Sequence, residues 1–92
     1  MKTDRKKLEK MKSHILRSEG NTYSRMKKIN VLEKLIISTD AKTGMLLEKI
    51  IVPRYEHDSV FLKETLQKLG YSPKYEDEYN HYYQTTCYSI TL

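Results

Sequence analysis

Cys87, His81 and Asp77 have the side-chain types that nucleophilic catalysis uses: a thiol, a base and a carboxylate to orient it, all near the C-terminal end. Such a triad works only if the three groups converge within hydrogen-bond reach, and their spacing along strand-like sequence does not bring them together. A single strand thiol is more commonly a small buried hydrophobe. His14, His57 and His81 are scattered, and with one cysteine they match no zinc spacing. His57 stands just before a helix cap in "YEHDS", a solvated or capping position. Glu76, Asp77 and Glu78 alternate in direction along a strand, which suits a solvated edge that resists sheet-to-sheet pairing better than a cation site. Gly20, Gly44 and Gly70 are isolated, so no glycine-rich phosphate loop exists. No enzyme, metal or cofactor is expected from these residues.

The stronger chemical pattern is cationic. Residues 1–34 hold eleven Lys/Arg against four Asp/Glu, whereas residues 35–92 hold six against eight. This asymmetry points to an anionic partner at the N-terminal end. At 100° per residue, Lys6, Lys10, Ser13 and Arg17 recur at i, i+4, i+7 and i+11, across the helix from Leu8, Met11 and Ile15. A second row, Tyr23, Lys27, Asn30 and Lys34, has the same spacing opposite Met26, Ile29 and Leu32. Each ridge extends about 16 Å, long enough to follow several phosphates. Gly20 between the two segments also suggests a helix-turn-helix with "NTYSRMKKIN" in the recognition position, placing Asn21, Tyr23, Ser24, Arg25 and Lys28 near bases or backbone. The expected nucleic-acid contacts are therefore Lys6, Lys10, Arg17, Tyr23, Arg25, Lys27, Lys28 and Lys34. The plain alternative is a set of solvated lysines on surface helices.

Six of the eight tyrosines lie in residues 71–92, in a chain with one Phe and no Trp. Alternation divides them: Tyr71, Tyr75 and Tyr79 share one face, Tyr82 and Tyr88 lie with Ile90 and Leu92, and Tyr83 lies opposite. They cannot form one stacking platform, and the positive charge such a platform needs is at the other end of the chain. Most read as amphipathic core, with Tyr79, Tyr82, Tyr83 and Tyr88 the candidates for meeting a protein partner.

The elements that must position these groups follow from caps and periodicity. Thr3 or Asp4 opens a first helix, and Gly20-Asn21 supplies a left-handed stop. A second helix begins at Asn21 or Thr22, with Glu33 falling close to its apolar stripe. "LIIS", "TDAKTG" and a returning strand to Pro53 read as a hairpin, although residues 45–52 do not alternate and fit a helical turn as well. Asp58 or Ser59 caps a third helix that carries Leu62, Leu66 and Leu69, with Phe61 beside them, and ends at Gly70. Two strands follow, turning near "YNHY". The order is α-α-β-β-α-β-β, an α+β domain with helices on an antiparallel sheet. Residues 1–92 form one domain, with 1–35 a basic helical part and 36–92 a ββαββ-like part.

Size and composition bound the rest. Ninety-two residues with 38% apolar and 32% charged content fit a small globular chain. No apolar run reaches membrane-spanning length, and no signal core follows the basic start. These features, with one cysteine, lead to the expectation of a cytoplasmic protein. The Lys, Ile, Tyr and Asn bias hints at a low-GC bacterium or its phage or plasmid. The expected function is a small non-enzymatic protein whose basic helices contact nucleic acid or a nucleic-acid-associated partner. The alternative is an adaptor or inhibitor that binds a protein through its tyrosine-rich strands.

Overall fold

The computed structural model describes residues 3–18, 20, 22–54 and 58–92. The expectations for Asn21 and His57 lie outside the described residues. The element order is α1 (Asp4–Arg17), α2 (Thr22–Ile37), β1 (Lys49–Pro53), α3 (Ser59–Lys68), β2 (Lys74–Asn80) and β3 (Thr85–Thr91). This is an α+β domain with three helices and a three-stranded antiparallel sheet in the order β1-β3-β2.

Of the expected first strand, "LIIS", the residues Leu35, Ile36 and Ile37 are instead the last turn of α2. The helical part thus extends past residue 35, and the remainder is βαββ rather than ββαββ. Packing decides the matter: Val31, Leu32 and Leu35 recur at helical spacing and are buried, which outweighs the β-branched preference of Ile36 and Ile37. The Ser38 and Thr39 hydroxyls donate back to the carbonyls of Lys34 and Ile36 and close the helix. The turn chemistry of residues 38–47 is present. Asp40 Oδ1 accepts from the Lys42 and Thr43 amides at 2.8 and 2.9 Å, holding its carboxyl below the ordinary aspartate range. Thr39 and Leu46 make a single antiparallel bridge, and regular pairing resumes only at Lys49.

Of the expected core stripe of α2, Met26, Ile29 and Leu32, only Leu32 belongs to the buried core. Met26 is 53% exposed and Val31, Leu32 and Leu35 point inward, so the helix is rotated relative to that reading. Glu33 faces solvent and pairs with Lys12 of α1 at 3.2 Å. The chain leaves α1 at Ser18, in extended conformation, two residues before the glycine expected to stop it.

The sheet turns one face to the helices. Ile50 and Val52 of β1 pair with Ile90 and Tyr88 of β3, and Tyr75 of β2 pairs with Ile90 from the other side. These residues join Leu8, Val31, Leu32, Leu35, Leu62 and Leu66 in one apolar cluster. The other face carries Cys87 and Ser89 on the central strand, flanked in register by Pro53 and Glu78 and by Ile51 and Glu76. α3 ends as its sequence specifies. The Gly70 amide donates to Gln67 O and the Tyr71 amide to Leu66 O, with Gly70 at φ +96°. At its start, Asp58 accepts from the Phe61 amide at 2.9 Å.

The start of α1 is pinned by polar groups. Asp4, 3% exposed, accepts from the buried Leu46 amide at 3.0 Å and from the Tyr71 hydroxyl. Arg5 donates through Nε to Thr39 Oγ1 and through its guanidinium to Asp40 O, both at 2.9 Å, while its amide donates to Gly44 O at 2.8 Å. Burial, together with the hydrogen bond to Asp4 and the charge of Asp4, pushes the Tyr71 hydroxyl up to about 12. These contacts fix where α1 lies relative to α3.

Candidate nucleic-acid interface

α1 and α2 lie side by side and antiparallel. Arg25 donates to Ser18 O near the turn, and Lys12 meets Glu33 well along both helices. A helix-turn-helix crosses its two helices steeply so that the second protrudes. Here the C-terminal half of α2 is buried in the core through Val31, Leu32 and Leu35, and in its N-terminal half Arg25 and Lys28 turn towards α1 and α3 rather than outwards.

α1 and α3 stand apart and leave a cleft between them. Its larger part, about 750 Å³, has Met11, Ile15, Phe61 and Thr65 beneath a rim of Lys6, Lys7, Lys10, Arg17 and Lys68, with His14 beside them. A smaller hollow of about 290 Å³ adjoins it, sharing Ile15 and Phe61 and adding Arg25 and Lys28. Seven cationic side chains from three helices therefore border the two hollows, and no described residue lining either is acidic. Phe61 stands at the junction. Its ring centroid is 5.7 Å from Lys28 Nζ.

The expected contacts divide accordingly. Lys6, Lys10, Arg17, Arg25 and Lys28 converge on the cleft. Lys27 lies 4.7 Å from the Tyr23 ring centroid, and Lys34 reaches Tyr83, with its ammonium 3.2 Å from the hydroxyl. Neither these two nor Tyr23 lines the cleft. Lys7, His14 and Lys68 were not among the expected contacts, nor was Phe61 as part of a site. The sequence carries their signal only in fragments: Lys7, Met11 and His14 run at i, i+4 and i+7, as do Phe61, Thr65 and Lys68. Nothing in the sequence says that these two flanks face each other.

The tyrosines expected to meet a partner also separate. Tyr88 is half-buried, edge-on to Tyr75 at 5.8 Å, with the Arg54 guanidinium 5.4 Å from its ring centroid. Tyr79, Tyr82 and Tyr83 are at the end of the β2–β3 hairpin. Tyr82 belongs to the turn rather than to the strand face expected for it, and it is 90% exposed. Its ring stands edge-on to Tyr83, and Tyr79 likewise to His81.

The thiol, imidazole and carboxylate near the C-terminus do not assemble. Asp77 pairs in register with Tyr88 and Glu78 with Cys87, so Asp77 and Cys87 point to opposite faces of the sheet. His81 packs on Tyr79, and Asp77 lies 3.6 Å from Arg54. Burial pushes the Cys87 thiol up, Glu78 adds to the shift and Lys34 opposes it. This is the reverse of what activates a nucleophilic thiolate. Among the described residues no group of three or more His, Cys, Asp or Glu is placed to hold a metal, and no helix is long and apolar enough to cross a membrane. No family model, curated protein or solved structure matches the chain.

Proposed function

We propose that this is a small nucleic-acid-binding protein that holds phosphates along the α1–α3 cleft. The observation that carries this reading is the rim of seven Lys and Arg side chains, drawn from three helices, with no acidic residue among the described lining. A solvated surface helix usually interleaves both signs, as the Lys12–Glu33 pair does elsewhere on α1 and α2. Cations gathered around a hollow repel one another, and an anionic backbone relieves that repulsion while releasing its own counterions.

Binding should weaken steeply with salt. If five of the seven cations each neutralise a phosphate, log K falls against log salt with a slope of roughly −3.5 for single strands and −4.5 for duplex. Replacing Lys10 and Lys68 with Ala should make the slope shallower by roughly 1.4 to 1.8. Fluorescence anisotropy at four salt concentrations measures this, and an unchanged slope in the double variant would remove the cleft from the interface.

A second reading has its own observation. Tyr82 projects at the hairpin end beside Tyr79 and Tyr83, the type of stiff amphipathic cluster that anchors protein partners. It serves a separate surface and can coexist with the first.

A further inference from the structure

We propose that the cleft takes single-stranded rather than duplex nucleic acid, with one base packed against Phe61; this rests on the nucleic-acid reading above. The floor supplies the reason. Beneath the cations lie Met11, Ile15 and Phe61, an apolar surface that a phosphate backbone alone cannot use. A duplex keeps its base faces stacked inside and offers a protein phosphates, sugars and base edges. Set against this rim, it would span the cleft and leave the floor beneath it uncovered. A single strand has the matching chemistry, with phosphates for the rim and unstacked base faces for the floor.

Phe61 is placed for that task. It is half-buried, so its position is fixed by the first turn of α3, yet it lines both hollows and a strand passing from one to the other must cross it. Lys28 Nζ stands over the Phe61 ring, 5.7 Å from its centroid, so an incoming base displaces this ammonium from the ring towards the strand's own phosphate. Met11 and Ile15 of α1 continue the apolar floor beside it. The cations also suit a strand better than a duplex groove. They belong to both walls and one end of a hollow, rather than to one protruding helix that could enter a major groove. Because charge supplies the affinity and one ring the stacking, binding should tolerate most base sequences.

The test compares a labelled oligo-dT of twenty-four nucleotides with a blunt, GC-rich duplex of twelve base pairs, which carries about the same number of phosphates and stays paired, by anisotropy at 50 and 150 mM salt. The single strand should bind at least roughly tenfold more tightly, since only it adds stacking to the phosphate contacts. Phe61→Leu, which keeps an apolar side chain and removes the ring, should weaken single-strand binding by roughly five- to 100-fold while leaving the salt slope unchanged. Circular dichroism melting checks that this variant is folded. Should it not fold, the strand-over-duplex preference of the unaltered protein decides alone. Equal binding of strand and duplex overturns this inference and leaves the phosphate reading standing. Absence of salt-dependent binding to either overturns both, as does capture of an acidic amphipathic peptide in the cleft with no competition from oligo-dT.

Discussion

Asp4 has the most consequential single contact for the cleft, although it does not line it. Its carboxylate accepts from the Leu46 amide and the Tyr71 hydroxyl, and so ties the start of α1 to both the loop before β1 and the segment after α3. Asp4→Ala leaves a buried amide and a hydroxyl without their acceptor and should cost about 2–4 kcal/mol in urea unfolding. Tyr71→Phe should then cost less in the Asp4→Ala background than in the parent, because the shared bond is already gone. The same hydroxyl gives a pH signature. Its folded value, about 12, lies above the ordinary tyrosine value, so its contribution is complete below about pH 10 and is lost as pH rises through 12. Unfolding free energy should therefore fall between pH 10 and 12, and fall less in Tyr71→Phe. Tyr75, also shifted up by burial, leaves a residual decline of the same sign. An identical alkaline decline in parent and Tyr71→Phe would contradict the assignment.

Elements were legible where a cap and a periodicity agreed. Asp58, the Leu62–Leu66 spacing and Gly70 define α3 in the sequence, and the backbone bonds at Gly70 and Tyr71 realise that stop. Residues 35–38 were misleading, because Leu-Ile-Ile-Ser favours a strand locally and only the packing of Leu35 beside Val31 and Leu32 makes it helix. The glycines test the two turns. Gly70 has φ +96° with open space around its Cα, so Gly70→Ala should cost about 1–2 kcal/mol through backbone strain alone. At Gly44, φ is +70° and an added Cβ would stand 2.9 Å from Thr3 Oγ1 and 3.0 Å from Thr3 Cβ. Gly44→Ala should therefore be the more damaging of the two in thermal melts, since it also pushes the loop away from the cap of α1. The reverse order would mean that Thr3 and its neighbours yield easily.

At the scale of the whole molecule, the charge asymmetry between residues 1–34 and 35–92 was plain in the sequence, but the shape that organises it was not. Lys68 belongs to the half with a slight excess of acid, yet the fold sets it on the rim with Lys6 and Lys10. Conversely Lys27 and Lys34 belong to a basic row that the fold directs to Tyr23 and Tyr83 instead. Which flanks of α1 and α3 face each other depends on where α1 docks, and that is set by contacts from Asp4 and Arg5 to residues 34 to 67 positions away. Local pattern reports such pairings only once the topology is known. The most direct measurement of the central claim is a lysine-reactivity footprint with and without oligo-dT, read by mass spectrometry. The expected result is protection of Lys6, Lys7, Lys10, Lys28 and Lys68, with Lys42, Lys49 and Lys74 unchanged. Protection confined to Lys42, Lys49 or Lys74, with the cleft lysines still reactive, would contradict it.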